Sequence, residues 1–380
     1  MKTPLAWRNL TVNLRRLALA LASIGFVVLL MFMEIGFLNG CFDSSTYVYE
    51  KFDADLLIIS RGRTAAYAGR FPRTRLYQAC DCPAVKRAIP MYVMAGGIWK
   101  LPDSGRLRRI RVFGFDVHEP AFRLPEGAPL AELQVRGTAL FDSDSRDLFG
   151  QPGIGTVAEV NRRNVRIVGL VPMGIDLDTD GSLLVDHGTF FAIFGDARNG
   201  GLAPSEVDYG LVQLHPGAEL AVVQRDLRDR LAPDVKILTL PEYIEEVHRY
   251  WSRHTAVGFL FHIGVFVGLI IGVVVCYQIL FTDISNNLLP FATLKAMGYG
   301  NGYLVKIVLQ QASLLGLLGF VLGAVGAFFL YRLLQWGTGL IMVLTVPRLA
   351  SILSLTLGMC LVAGLMALNK VIQTDPADCF

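Results

Sequence analysis

Four apolar runs decide what this chain can become. A helix needs roughly 20 apolar residues to cross roughly 30 Å of hydrocarbon. The sequence offers such runs at residues 17–40, 254–282, 307–330 and 349–368. Between the first two lies one long polar insertion, residues 41–253. The pattern predicts an α-helical membrane protein with four transmembrane helices and a large mixed α/β extracytoplasmic domain between helices 1 and 2. Only 18% of the 380 residues are charged and the mean hydropathy is positive, too apolar for an ordinary soluble protein. A formal charge of +3 leaves no nucleic-acid footprint.

Orientation follows from the first segment. Lys2, Arg8, Arg15 and Arg16 precede the first run with no acid among them, and such residues stay in the cytoplasm. Four spans then return the C-terminal tail, 369–380, to the cytoplasm. The insertion falls outside, the segment 283–306 inside, and the loop 331–348 outside, although that loop carries two arginines, Arg332 and Arg348. Residues 1–16 predict a helix lying in the inner interface. Thr3 and Pro4 make its cap and first turn, and Trp7, Leu10, Leu14 and Leu17 share one face. A cleaved signal peptide would need an A-x-A site after the first run, and none follows it. Leu38-Asn39-Gly40-Cys41 resembles a lipobox, but Glu34 interrupts the apolar region and Asn39 fits poorly. An uncleaved anchor is the better reading.

Within the insertion, Asp55–Ser60, Met91–Met94 and Arg108–Phe115 read as strands, with Gly105 in the turn before the last. Thr156–Val160 and Val165–Val171 flank Asn161–Asn164 as a hairpin. Ser182–Val185 is a further strand. Tyr209–Leu214, Glu219–Leu231 and Val235–Leu238 read as a β-α-β unit. At the junction with the second run, Thr239-Leu-Pro241-Glu242 is a capping box with proline in the first turn. Ile244, Val247, His248 and Trp251 then share one helical face. This predicts one stiff helix, or two abutting ones, carrying motion between domain and membrane.

The search for chemistry returns little. There is no P-loop, no G-x-S-x-G and no H-E-x-x-H. Asp176, Asp178, Asp180 and Gly181 match the first half of a calcium loop, but His187 stands where a bidentate glutamate belongs. The alternative is an acidic turn. Of the cysteines, Cys41 with Cys80 or Cys82 is the sensible bridge, and free thiols are the other reading. In the spans, Glu34 lies about 25 Å along the first helix, near its outer end, and His262 lies deeper in the second. Intramembrane ionisable groups are functional candidates, but a packing role is favoured for His262. Gly319 and Gly323 permit close helix contact, more naturally within the chain's own bundle than in a dimer.

The segment 283–306 hangs between spans two and three. Pro290 can open a short helix and Gly298 can close it. Leu289, Pro290, Phe291, Leu294, Lys295, Met297 and Gly298 make it a handle that a cytosolic machine could grip.

These residues carry a resemblance. WSRHTAVGF at 251–259, GVVVCYQILFTDISNN at 272–287, ATLKAMGY at 292–299, the terminal DPADCF and the early PLAWRNL are similar to the MacB/FtsX superfamily of ABC transporter permeases. Within it the chain resembles the DevC subfamily. The resemblance implies a two-lobed exported domain, with one lobe of β-α-β units and one β-rich. It also implies a homodimeric, non-catalytic permease in the bacterial inner membrane. No cofactor would sit in this chain, and ATP and Mg would be held by a separate cytosolic ABC ATPase. Further implied partners are a periplasmic membrane-fusion adaptor, a TolC-like outer-membrane channel and membrane lipids, for efflux of a lipid or other amphiphile. The family's handle often has acidic residues where this one reads Asn286-Asn287-Leu288-Leu289. The alternative function is an FtsX-like membrane regulator or sensor with a periplasmic or cell-wall partner.

Overall fold

The computed structural model describes residues 13–64, 69–101, 105–119, 121–174, 179–195, 202–286, 297, 299–338 and 342–373. The chain divides into two compact units: one of residues 1–40, 256–338 and 342–380, the other Cys41–Thr255.

Among the described residues, the first unit holds four helices long and apolar enough to cross a membrane. They are α1, Leu14–Glu50, whose residues from Cys41 on belong to the second unit; α6, Ala256–Asn286; α7, Asn301–Thr338; and α8, Val346–Gln373. Every one outruns the apolar stretch that marks it in sequence. Helical hydrogen bonding does not stop where hydropathy does, and polar ends are solvated outside hydrocarbon. The expected outer loop from 331 is therefore helical as far as Thr338, and α6 continues beyond 282 to Asn286.

Small residues set how closely these helices approach. A Cβ on Gly323 would stand 2.6 Å from Val28 Cγ1, and one on Gly25 would stand 2.9 Å from Leu322 Cδ2. Gly319 meets Ile24 in the same way. The glycine pair thus packs α7 on α1 inside the chain's own bundle, as close contact without a hydrophobic drive requires. Tyr331 donates its hydroxyl to the Phe32 carbonyl in the same interface. Cys276 and Cys360 bring their sulfurs to 3.5 Å between α6 and α8.

The second unit is built on a nine-stranded sheet. Its strands are β1 (Leu56–Ser60), β3 (Val85–Lys100), β4 (Leu107–Phe115), β5 (Thr138–Asp142), β6 (Val157–Val160), β7 (Arg163–Val171), β8 (Ser182–Asp186), β10 (Tyr209–Leu214) and β11 (Val235–Thr239), while β2 (Phe71–Pro72) and β9 (Glu206–Val207) pair as a separate two-stranded sheet. The order is β11-β1-β10-β3-β4-β8-β5-β7-β6, and β6 also pairs with β3. That extra pairing closes β3, β4, β8, β5, β7 and β6 into a ring, the β-rich lobe. The remaining strands form the open lobe, together with helices α2 (Thr74–Cys80) and α4 (Leu220–Arg230). β3 belongs to both, and its register shifts between Met94 and Gly97.

β1 explains the open lobe. It is apolar without alternation because both its faces are buried. Leu56 and Ile58 pack with Leu76, Val223 and Leu227 of α2 and α4. Leu57 and Ile59 pack with Val48 of α1 and with Tyr243 and Val247 of α5, Leu240–His254. β1 lies antiparallel between β10 and β11. The expected β-α-β unit is present but split, with β1 inserted between its parallel strands. In the other lobe the β6–β7 hairpin turns at Asn161 and Arg162, both at positive φ, 47° and 65°, the conformation that two-residue hairpins favour. Gly105, at φ +64°, precedes β4.

Candidate functional site

The site is the end of the inserted domain where α1 and α5 lie on one face of the open sheet. α5 starts as its sequence predicts. Thr239 Oγ1 accepts from the Glu242 amide at 3.2 Å, and Glu242 Oε2 accepts from the Thr239 amide at 2.8 Å. Pro241 stands in the first turn, where a missing N–H costs nothing. Glu242 Oε2 also accepts from Gln224 Nε2 at 2.6 Å, which ties the start of α5 to α4. The Thr239 amide holds the Glu242 carboxyl below its ordinary range.

The other end of α5 resolves a choice that the sequence left open. The helix stops at His254, Thr255 is extended at φ −119° and ψ 151°, and α6 begins at Ala256. There are two abutting helices. The Thr255 hydroxyl takes the Trp251 carbonyl at 2.6 Å, so that acceptor is satisfied where the ladder ends. Trp251 is half-buried and meets Tyr250 edge-on at 6.2 Å.

The inward face of α5 is led by Tyr243 and Val247, both buried. The apolar period of the helix predicts Val247 on this face but not Tyr243. Yet Tyr243 is the centre of the site. Its hydroxyl lies 2.9 Å from that of Tyr209 on β10. Its ring meets Tyr49 of α1 at 5.1 Å, edge-on. The Arg63 guanidinium lies 3.9 Å over the Tyr209 ring and donates through Nη1 to Asp208 Oδ1 at 3.3 Å. Asp208, 0% exposed, also pairs with Arg70 at 3.4 Å and accepts from the Val93 amide at 2.9 Å. Burial pushes the Tyr209 and Tyr243 hydroxyls above the usual phenol range, so both stay neutral and one donates to the other. About one turn along, Thr46 Oγ1 and His248 Nε2 lie 3.1 Å apart, and Phe42 meets the His248 ring at 5.9 Å. A cluster from residues 42–49, 63, 208–209 and 243–248 thus clasps α1 to α5 and both to the sheet. Its only sequence signal was the His248 and Val247 positions on the helical face.

The other candidates stand apart from this cluster or outside the described residues. Leu289, Pro290, Phe291, Leu294, Lys295 and Gly298 lie outside them, and Met297 is exposed at 62%. Asp176 and Asp178 lie outside them as well. Asp180 spends Oδ1 on Arg146 at 3.0 Å. Glu34 lies over Gly264 of α6, where an added Cβ would meet Oε2 at 2.6 Å. His262 is exposed, with Nδ1 2.6 Å from the Gly258 carbonyl one turn back. Two residues on a helix are about 200° apart, so Gly264, which Glu34 overlies, and His262 face different ways. Cys41, Cys80 and Cys82 are free thiols. Cys41 is buried on α1, and Cys82 Sγ donates to Asp226 at 3.3 Å, which sets the bridge reading aside. Asp116, Asp186 and His187 lie close together, but Asp186 already caps α3, His187–Phe194, through the Gly188 amide at 2.8 Å and pairs with His187 at 3.1 Å.

Residues 17–230 match the MacB-like periplasmic core domain, and residues 263–376 match the FtsX-like permease C-terminal domain. An uncharacterized ABC transporter permease of Mycobacterium tuberculosis strain H37Rv is 23% identical over 384 residues, covering 99% of this chain and 98% of that one. Another, from Mycobacterium bovis, is 24% identical over the same shares. The periplasmic region of MacB from Actinobacillus actinomycetemcomitans aligns with 50% of this chain and 91% of its own, at 12% identity and a TM-score of 0.37. The extracellular domain of the transporter YknZ aligns with 49% of this chain and 99% of its own, at 12% identity and a TM-score of 0.35. The chain belongs to the MacB/FtsX family and is a multi-pass ABC transporter permease with a MacB-like periplasmic core domain.

Proposed function

We propose that this permease is the membrane subunit of a DevC-like ABC export system in the bacterial inner membrane, with both termini cytoplasmic. It works as a homodimer beside a separate cytosolic ATPase, which binds the ATP and Mg. The cargo is a lipid or other amphiphile, passed to a periplasmic adaptor and a TolC-like outer-membrane channel. The observation that supports this reading is the clasp around Tyr243. α1 and α5, which flank the insertion in sequence, are joined through Tyr49 and Tyr243 and through Thr46 and His248. Helices joined in this way move together, so a pull on one is felt by the sheet under both. The pull comes from the 290–298 handle, gripped at Phe291 with Lys295 at the rim.

The test is reconstitution with the cognate ATPase in vesicles, following ATP-dependent movement of a fluorescent amphiphile. Transport is expected, and in Phe291→Ala it should fail while ATPase copurification is strongly weakened, because a lost aromatic anchor costs about 2 kcal/mol or more. Lys295→Ala should weaken copurification only mildly. A complex that hydrolyses ATP, moves no amphiphile and instead activates a cell-wall enzyme would replace export with the regulator reading.

A further inference from the structure

α7 and α8 leave a groove of about 740 Å³ between them. Its lining runs along one side of α7, through Lys306, Leu309, Gln310, Ser313 and Leu317, and is completed by Leu357 of α8. The polar groups are gathered at one end. Lys306 is exposed and pairs with no carboxylate among the described residues. Gln310 stands one turn further on, also exposed. Ser313 is polar in name only, because its hydroxyl donates to the Leu309 carbonyl at 2.8 Å. Beyond Gln310 the groove is therefore apolar.

Its length is informative. Lys306 to Leu317 spans about 16 Å at 1.5 Å per residue, and one leaflet of a bilayer is about half of the roughly 30 Å hydrocarbon thickness. Lys306 sits where the apolar stretch of α7 begins, at headgroup level. An unpaired cation at that level, an amide one turn deeper and a leaflet's depth of apolar wall match a phosphate, an ester carbonyl and an acyl chain in order.

We propose that this groove is a binding site for an anionic membrane phospholipid, with Lys306 on the phosphate, Gln310 on the ester carbonyl and an acyl chain along Leu309, Ser313 and Leu317. The site selects by charge. A zwitterionic lipid fills the same groove but sets its own ammonium beside Lys306. The occupant is a resident lipid of the leaflet that Lys306 faces, independent of any cargo carried by the permease.

The full chain would be assembled into nanodiscs of equimolar phosphatidylglycerol and phosphatidylcholine, extracted gently, and its retained lipid measured by native mass spectrometry. One phosphatidylglycerol per chain is expected, favoured over phosphatidylcholine by about tenfold, the scale of one charge-assisted contact. Lys306→Gln should erase the preference and Lys306→Arg should keep it. Ser313→Trp, which fills the groove, should remove the retained lipid without changing the oligomeric state. Equal retention of the two lipids by the unaltered chain, or an unchanged preference in Lys306→Gln, would overturn the proposal. Loss of a dimer rather than of lipid in Ser313→Trp would also overturn it and give the groove to a second copy of the chain.

Discussion

Two aspartates of the inserted domain are equally hidden from water and differently provided for. Asp208, in the open lobe, sits between Arg63 and Arg70 and accepts the Val93 amide. Asp142, at the end of β5 in the β-rich lobe, is also 0% exposed. It takes the amides of Met173 and Asp144 on Oδ1, at 2.8 and 2.9 Å, and lies near the Gly174 amide, while Oδ2 has no partner at hydrogen-bond distance among the described residues. Burial pushes the Asp142 carboxyl up to about 7, against the pull of those amides. The open lobe thus buries a charge with its counter-charges. The β-rich lobe buries an acid that prefers to keep its proton. The same residue type is an ionic anchor in one place and close to a neutral hydrogen-bonding group in the other.

The largest expected effect breaks the first arrangement. Asp208→Ala leaves Arg63, only 7% exposed, without its carboxylate. Stranding a buried charge costs about 3 to 5 kcal/mol. Thermal unfolding of the full chain in detergent should show a much lower midpoint, or no folded protein. Asp208→Asn should be milder, since one acceptor remains for the arginines.

A smaller effect isolates the second arrangement and depends on pH. In the folded chain Asp142 releases its proton near pH 7, and in the unfolded chain near its ordinary 3.8. Below about pH 4 both states hold the proton and nothing is lost. Between about pH 4 and pH 7 the unfolded chain gains from ionising and the native state does not, so stability falls as pH rises. Above that window the loss is constant, about 4 kcal/mol. Asp142→Asn fixes the uncharged form. It should flatten this part of the stability curve and raise the unfolding midpoint at pH 8. A curve unchanged by the substitution would show that Asp142 is ionised in the native state and would erase the contrast with Asp208.

Smaller again is Tyr243→Phe, which removes the hydroxyl paired with Tyr209 and leaves the ring against Tyr49. About 1 kcal/mol is expected, rising toward 2 if the Tyr209 hydroxyl finds no other partner. The smallest is Arg249→Ala. Its exposed pair with Glu245, one turn apart on α5 at 2.7 Å, should contribute no more than about 0.5 kcal/mol. If it costs as much as Tyr243→Phe, the outer face of α5 matters as much as the clasped face.

Local chemistry was legible in the sequence where it was self-sufficient. The Thr239–Glu242 box, the Asn161–Arg162 turn and the four apolar runs each have their cause within a few residues. What could not be read depends on distant partners. The first span is expected to end near residue 40, because its apolar run ends there, and Ser44, Ser45 and Thr46 beyond it weaken a helix in isolation. In the fold, Ser45 and Thr46 return their hydroxyls to the Cys41 and Phe42 carbonyls at 2.8 and 3.1 Å and are buried, Thr46 beside His248 of α5. Tertiary burial overrode propensity as far as Glu50. β3 was read as four residues and is sixteen, because it serves two lobes and its hydrophobic pattern changes where it passes between them. The Tyr49, Arg63, Asp208, Tyr209 and Tyr243 cluster draws on four separate segments, and none of them bears a signature alone. The coupling residues 289–298 rest on sequence, apart from Met297.

The position of β1 has a consequence for how the chain is made. This strand, Leu-Leu-Ile-Ile-Ser, is among the first folded parts of the insertion to be synthesised, yet both its partners, β10 and β11, are among the last. At ribosomal rates of about 5–20 residues per second the wait is on the order of ten seconds or more. Through that time a short apolar strand has both edges open, the feature that invites wrong pairing. The ring lobe, whose strands are nearer one another in sequence, can close first. Crowded or slowed synthesis should therefore harm the open lobe first, and a chaperone that covers residues 56–60 would protect it.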